Sequence, residues 1–279
     1  MKKTLFIAVV GLVMLASSCK SEFEKIRSSG EASLIYDKAL QYYDDQEYQK
    51  AQTLFEIIIS SYRGRKEAEE IYFKYAYTYY HLQQYILASY YFKNFSNTYS
   101  TSEMRQEADF MSAFSNYQLS PTFRLDQTYT RKAIDEFQLF VNTYPDSDKV
   151  PQINRLIDEM RSKLEVKAFK SAELYFDLQD YQAAIQSFEN VLKDFPDSEN
   201  VEEIRYMTIR SAFLLAENSF VEKQFERYAD TVQRAKEYLN RYETSGYQNE
   251  VKQMLLKSEK QLKDLEDVRY QNQSAGTGS

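Results

Sequence analysis

The chain has 279 residues, 43% of them hydrophobic, and a formal net charge of -7. This length is enough for one or two domains with a sizeable core. Its 35 basic and 42 acidic residues are interspersed, so no single-sign stripe is available to neutralise a nucleic-acid backbone, and nucleic acid is not expected as a partner. The 25 tyrosines and 18 phenylalanines, with six glycines and four prolines, favour long helices over a sheet-rich fold.

Residues 1–18 have the pattern of an export signal. Lys2 and Lys3 precede an apolar run, Leu5 to Leu15, that is too short to span a bilayer stably. Small residues then lead to Cys19, the only cysteine of the chain. The arrangement resembles a bacterial lipoprotein signal, although Ala16 stands where a leucine is usual. We therefore expect a covalent lipid on Cys19 to be the only membrane attachment; an ordinary secretory signal with an incidental cysteine is the alternative.

Two flanking segments lack helical patterning. Residues 19–31 are polar and include Ser28, Ser29 and Gly30, which predicts a lipidated N-terminus on a flexible tether. Residues 271–279 are predicted to form a disordered tail. Between these segments, helical periodicity is interrupted at short intervals by turn-forming residues.

An internal repeat is the clearest pattern in the chain. Alanine is followed after four residues by an aromatic residue and after three more by an apolar one. The four sets are Ala51, Phe55 and Ile58; Ala88, Phe92 and Phe95; Ala133, Phe137 and Phe140; and Ala184, Phe188 and Val191. Preceding helices are marked by Ala39 with Tyr42, Ala76 with Tyr79, and Ala172 with Tyr175, and the second helices are predicted to begin at Tyr48, Tyr85 and Tyr181.

These spacings match the tetratricopeptide pattern, in which small residues let two antiparallel helices approach closely. They predict an all-α fold, a right-handed solenoid of about five tetratricopeptide-like helix pairs with a C-terminal capping helix. Repeats 1–3 are expected in residues 32–148. Residues 149–270 should hold a long connecting helix over Val150 to Asp177, repeats 4–5 and the cap. Because alanine at helical spacing from phenylalanine is common in helical bundles, a generic bundle is the alternative.

Residues suited to catalysis are sparse. The only histidine, His81, falls at a predicted helix end, where a surface or capping role is the usual one. The chain contains no Gly-x-Gly phosphate loop and no recognisable serine nucleophile signature, and Asp146 with Asp148 lack the spacing of a calcium loop. We predict no enzymatic activity, no cofactor besides the lipid, no metal and no small-molecule substrate.

A binding surface can be located from the repeat register. In paired-helix solenoids the first helix of each pair lines the inner surface. Positions one residue beyond those that face the partner helix point about 100° away, towards that surface. In the first three pairs they are aromatic, and we predict a binding groove formed by Tyr36, Tyr43, Phe73, Tyr77, Tyr80, Phe110, Phe114 and Tyr117. The fourth pair has Glu173 in this stripe. The alternative is that about half of the aromatic residues pack against neighbouring repeats instead.

Taken together, the cysteine signal and the repeats resemble the BamD family of lipoproteins from the outer-membrane β-barrel assembly machinery. The most specific stretches are Ser120-Pro121, Leu125-Asp126-Gln127-Thr128, Ala133 to Ser147, Ala172 to Phe176, Tyr181-Gln182-Ala183-Ala184 and Phe195-Pro196-Asp197-Ser198. The resemblance implies a periplasm-facing outer-membrane lipoprotein that docks on BamA through its C-terminal repeats. It also implies that the N-terminal repeats bind unfolded outer-membrane barrel proteins as clients. A glycan-uptake lipoprotein or a scaffold for periplasmic cell-wall enzymes are the alternatives.

Overall fold

A computed structural model describes residues 21–276, with side chains through Asp267. The predicted signal of residues 1–18, Cys19 and residues 277–279 lie outside this range. Within it the chain forms twelve α-helices and no strand. These are α1 (Glu22–Arg27), α2 (Ala32–Asp44), α3 (Tyr48–Ile58), α4 (Ala68–His81), α5 (Tyr85–Thr98), α6 (Arg105–Gln118), α7 (Thr128–Thr143), α8 (Val150–Asp177), α9 (Tyr181–Asp194), α10 (Val201–Glu217), α11 (Val221–Arg241) and α12 (Gln248–Gly276).

The repeating alanine and aromatic positions form the core. All twelve members of the four sets are at most 2% exposed. Tyr48, Tyr85 and Tyr181 are the first residues of α3, α5 and α9, as predicted. The all-helical class and the register of the repeats are therefore confirmed, while the count of five pairs in one solenoid stays a prediction.

The turns between the helices of the first, second and fourth pairs share one conformation. Gln46, Gln83 and Gln179 each adopt a positive φ of about 60°, the left-handed conformation that ends many helices. In the first turn the Gln46 and Glu47 amides donate to the Tyr43 and Tyr42 carbonyls at 3.0 and 2.8 Å. The other two turns repeat this pair of hydrogen bonds, which satisfies carbonyls that a helix end leaves without partners. Repeated turn geometry thus accompanies the repeated sequence.

The chain divides into two compact units, one ending at Met160 and the other beginning at Arg161. The division falls inside α8, the single long helix expected over Val150 to Asp177. In the first unit α2 to α7 pack in chain order, each helix against the next. In the second unit α10 packs against α9, α11 and α12.

The last helix, α12, packs on the second unit through one apolar face. Val251 is fully buried, and Leu255, Leu262 and Leu265 pack against the core of the second unit. The helix continues through Gly276, so residues 271–276 are helical where the sequence predicted a disordered tail. No described helix has both the length and the apolar content needed to cross a membrane.

The segment assigned to a flexible tether also contains structure. Residues 22–27 form α1 instead, with Ile26 only 6% exposed and α1 in contact with α2 and α3. The Phe23 ring packs edge-on against Tyr42, with centroids 5.8 Å apart. Ser21 caps the helix by accepting a hydrogen bond from the Glu24 amide at 3.3 Å. The folded part of the chain therefore begins at least ten residues before the predicted start at residue 32.

Candidate functional site

The eight residues of the predicted groove lie on the first helices of the first three pairs, α2, α4 and α6. We call them the aromatic stripe. Phe110 is buried at 7% exposure, and the other seven are partly buried. Each residue keeps some accessible surface, but none projects freely into solvent.

On α6 the stripe is a stack of rings. Phe110 and Phe114 lie with centroids 5.4 Å apart and planes 15° apart, and Phe114 stacks on Tyr117 at 5.6 Å and 22°. Phe110 also contacts Phe137 and Phe140 of α7, both at 6.1 Å, which explains its deeper burial. The stack forms because residues three and four apart lie on the same face of a helix.

On α4 the stripe packs inward and towards α6. Phe73 and Tyr77 meet edge-on at 5.0 Å, and Tyr77 packs edge-on against the buried Phe92 at 4.9 Å. Tyr80 reaches Phe114, with centroids 6.3 Å apart. The second and third pairs therefore share one aromatic surface.

The first pair joins this surface through the only histidine. His81 stacks on Tyr48 at 4.1 Å and 9°, and the Tyr43 and Tyr77 rings lie 6.2 and 5.9 Å from it. Burial among these rings lowers the pKa of His81, so its imidazole is neutral at neutral pH. His81 is exposed at the end of α4, as the sequence predicted, and its ring also contacts the first pair through Tyr48 and Tyr43. Among the described residues no group of three or more His, Cys, Asp or Glu side chains is placed to hold a metal.

Hydroxyl groups of three stripe tyrosines bridge successive pairs. Tyr36 of α2 donates to Glu70 of α4 at 2.9 Å, and Tyr77 of α4 donates to Glu107 of α6 at 2.8 Å. Tyr117 of α6 donates to Glu159 of α8 at 3.2 Å. Burial, followed by the hydrogen bond and charge of Glu70, raises the pKa of Tyr36 to about 12. Burial and then the charge of Glu107 likewise raise the pKa of Tyr77.

Two lysines cover parts of the stripe. The Lys74 Nζ lies 4.4 Å from the Tyr43 ring centroid, and the Lys149 Nζ lies 4.6 Å from that of Phe110. Lys149 also pairs with Glu107 at 3.2 Å. The contacts of the two lysines and the tyrosine and glutamate pairs were not predicted from the sequence. Glu70 and Glu107 each lie three residues before a stripe phenylalanine, Phe73 or Phe110, and this recurring position is the signal that could have found the pairs.

The fourth pair presents a different surface, as its sequence predicted. The Lys170 ammonium pairs with Glu173 at 2.6 Å, and Phe169 packs on Phe188 at 5.7 Å. Phe176 lies under the Arg210 guanidinium at 5.0 Å. The stripe of the fourth pair is therefore mixed, with the charged Glu173 between Phe169 and Phe176.

A cavity of about 390 Å³ between α9, α10 and α11 was not anticipated from the sequence. Its arginines differ in their partners. Arg234 pairs with Glu189 and Asp230, both at 2.7 Å, whereas the buried Nε of Arg205 has no hydrogen-bond partner among the described residues. Leu192 and Ile209 supply apolar walls. The cavity is a second surface of mixed charge in the second unit.

A comparison with protein families identifies the family to which the chain belongs. The family model YfiO, described as an outer membrane lipoprotein, matches residues 28–210. That range includes the whole aromatic stripe, both halves of α8 and the first ten residues of α10. No curated protein matches the chain.

Proposed function

We propose that this chain, which belongs to the YfiO family of outer membrane lipoproteins, is a BamD-like subunit of the outer-membrane β-barrel assembly machinery. The family match over residues 28–210 is the observation that carries the proposal. In this role the protein has no enzymatic activity. It is held to the outer membrane by a lipid on Cys19, faces the periplasm and binds other proteins.

The aromatic stripe is the proposed surface for unfolded outer-membrane barrel clients. A client strand rich in aromatic residues would meet partly buried rings on α2, α4 and α6. Rigid aromatic side chains lose little conformational entropy on binding and suit varied peptides. The hydroxyls of Tyr36, Tyr77 and Tyr117 are already hydrogen-bonded to carboxylates, so ring faces and edges would make the contacts.

BamA is the proposed partner of the second unit, around residues 170–240. This region has a mixed surface, with Glu173 in the stripe on α8 and the Arg210 guanidinium of α10 over the Phe176 ring. Different surface chemistry in the two units favours different partners. Docking on one unit would leave the aromatic stripe of the other available to a client.

Co-purification tests the proposal most directly. The full chain, expressed with its signal and a C-terminal tag, is captured from detergent-solubilised membranes, and its partners are identified by mass spectrometry. BamA is the expected partner. A porin-like transporter or a cell-wall enzyme in place of BamA would select the glycan-uptake or the scaffold function.

The same preparation tests the anchor. Cys19→Ala should release the protein from the membrane or leave its signal unprocessed, because the thiol that carries the lipid is gone. A processed Cys19→Ala protein that still fractionates quantitatively with membranes would refute lipidation at this residue. Cys19→Ala changes attachment alone, so BamA capture in detergent should persist.

A further inference from the structure

The described chain begins at one edge of the first unit, where the turns within the helix pairs lie. We call this the turn edge; it consists of residues 45–47 between α2 and α3, residues 82–84 between α4 and α5, and the adjoining helix ends. Tyr48, which begins α3, stacks on His81, which ends α4, at 4.1 Å, so the two turns are neighbours. Phe23 of α1 packs on Tyr42, one turn from the end of α2. The start of α1 therefore lies beside the turn edge.

An apolar patch lies at the same edge. Ile86, Leu87 and Tyr90 occupy the first two turns of α5, directly after residues 82–84, and they are 56%, 43% and 58% exposed. The opposite face of α5 packs inward through Ala88 and Phe92, both fully buried. Scattered exposed apolar residues need no explanation, but three together on one end of one helix form a surface suited to an apolar environment.

Covalent geometry brings the lipid close to this edge. Cys19 precedes Ser21 by two residues, which can span at most about 7 Å. Because Ser21 caps α1 and Ile26 fixes α1 to the first pair, little free chain separates Cys19 from the folded unit. If α1 were undocked, the ten residues from 22 to 31 would add up to about 36 Å of reach.

We propose that the turn edge of the first unit rests on the bilayer, with Ile86, Leu87 and Tyr90 in the interfacial layer of the lipid. The inference rests on the proposed lipidation of Cys19. Aliphatic side chains gain from burial at the boundary between headgroups and acyl chains, and tyrosine, with its apolar ring and polar hydroxyl, is enriched there. Because Asp45 and Glu47 are exposed at the same edge, apolar contact rather than attraction to anionic lipid is the driving force.

Single labels on the lipidated full chain test the contact. Lipid blocks the thiol of Cys19, the only native cysteine, so one introduced cysteine takes an environment-sensitive fluorophore specifically. The labelled variants are Glu22→Cys near the anchor, Leu87→Cys in the patch and Thr98→Cys at the far end of α5. Position 98 lies about 16 Å further along the same helix than position 87 and serves as the matched control. Each protein is placed in phosphatidylcholine vesicles that contain brominated lipid as the quencher.

We expect the labels at positions 22 and 87 to lose most of their fluorescence and the label at position 98 to keep it. Inserting twelve glycine and serine residues between Lys20 and Ser21 should restore fluorescence at position 87 without affecting folding. Equal quenching at 87 and 98, or no quenching at 87 in vesicle-bound protein, would overturn the proposed contact. A protein that does not float with the vesicles would instead refute the lipid anchor, and the contact with it.

A protein occupant is tested in the same samples. If fluorescence at position 87 stays unquenched with lipid but changes when purified BamA or a second, unlabelled copy of the chain is added, the patch is a protein interface and the membrane contact is refuted. If the label at position 87 is still quenched in a variant that combines Ile86→Ser and Tyr90→Ser, the lipid anchor alone brings position 87 close to the bilayer. That result would also contradict a role for the patch.

Discussion

The Tyr77 hydroxyl on α4 donates a 2.8 Å hydrogen bond to the Glu107 carboxylate on α6, and this bond joins the first helices of two successive pairs. Tyr36 makes the equivalent bond to Glu70 between the first and second pairs. Tyr36 and Tyr77 therefore have a structural role through the hydroxyl, which links successive pairs, beside the binding role proposed for the ring. Substitutions that remove only the hydroxyl separate the two roles.

Tyr77→Phe should lower the free energy of unfolding by about 1.5 kcal/mol, because one hydrogen bond to a charged acceptor is lost while the ring remains. The loss is at the lower end of the usual range because Glu107 keeps its ion pair with Lys149 at 3.2 Å. Urea denaturation measures the difference. Tyr90→Phe, which alters an exposed tyrosine on α5, should change stability by no more than about 0.5 kcal/mol. Equal effects of the two substitutions would contradict the structural role of the Tyr77 hydroxyl.

Alkaline pH should destabilise the fold through the same kind of bond in the second unit. Burial and a hydrogen bond to Glu250 raise the pKa of Tyr206 from 10.0 to about 12. A phenol whose pKa is higher in the folded than in the unfolded state contributes stability that is complete below about pH 10 and is lost as pH rises towards 12. The free energy of unfolding should therefore fall over this interval, and more shallowly in Tyr206→Phe. If the free energy of unfolding falls equally with pH in the unsubstituted protein and in Tyr206→Phe, Tyr206 does not contribute to this pH dependence.

Ala184→Leu tests the repeat register. Ala184 is fully buried in the same core cluster as Phe188 and Ala172, so a leucine there must displace packed side chains. Overpacking of this kind costs about 1 to 3 kcal/mol. The matched control is Gln186→Leu, an exposed position on the same helix, which should leave the melting midpoint nearly unchanged. An unchanged midpoint in Ala184→Leu would place Ala184 outside the core.

The core was predictable from the sequence because residues that are buried on one face of a helix recur at a regular spacing. Phe55, Phe92, Phe137 and Phe188 recur at one place in each repeat, and each is fully buried. The docking of α1 was not predictable, since six mostly polar residues carry one buried side chain, Ile26, and too short a pattern to show periodicity. Local composition therefore indicated a tether where tertiary contacts form a helix.

The stripe itself was partly predictable. Its eight residues lie on the expected helices, and the charged Glu173 at the corresponding place in the fourth pair follows from the sequence. The burial of each ring depends on how neighbouring pairs pack against each other. The spacing of residues within one helix does not predict that packing. Phe110 is buried by Phe137 and Phe140 of α7, whereas Tyr117 on the same helix reaches Glu159 on α8. Which of the eight residues bind a client stays a prediction.

Gln179→Gly should stabilise the second unit by up to about 1 kcal/mol, because glycine adopts the positive φ of this turn without a clash of its Cβ. Gln179→Val should destabilise it, because a β-branched side chain is strained in this conformation. Thermal melts report both changes. Gln186→Gly in the middle of α9 provides a control of opposite sign and should cost about 1 kcal/mol. If both glycine variants lowered the melting midpoint, the left-handed conformation of Gln179 would be wrong.

The last prediction separates client binding from docking. A combined Tyr43→Ala and Tyr77→Ala variant removes two rings from the aromatic stripe and leaves the second unit unchanged. It should lose affinity for peptides that copy the terminal strand of an outer-membrane barrel, by about thirtyfold for each well-packed ring that binds, yet still capture BamA. Both rings also pack inside the first unit, against Phe55 and Phe92, so some loss of stability accompanies the change. The matched control is therefore Tyr72→Ala, which removes a partly buried ring from another face of α4, where it contacts Tyr91 and Tyr99.

Peptide affinity and BamA capture are measured at a temperature where circular dichroism shows all variants helical. Equal loss of peptide binding in Tyr72→Ala would mean that destabilisation, not the stripe, explains the effect. If the Tyr43→Ala and Tyr77→Ala variant still binds the peptide but no longer captures BamA, the assignment of partners to the two units is reversed. A partner that needs Tyr43 and Tyr77 must contact the first unit, because both residues lie there.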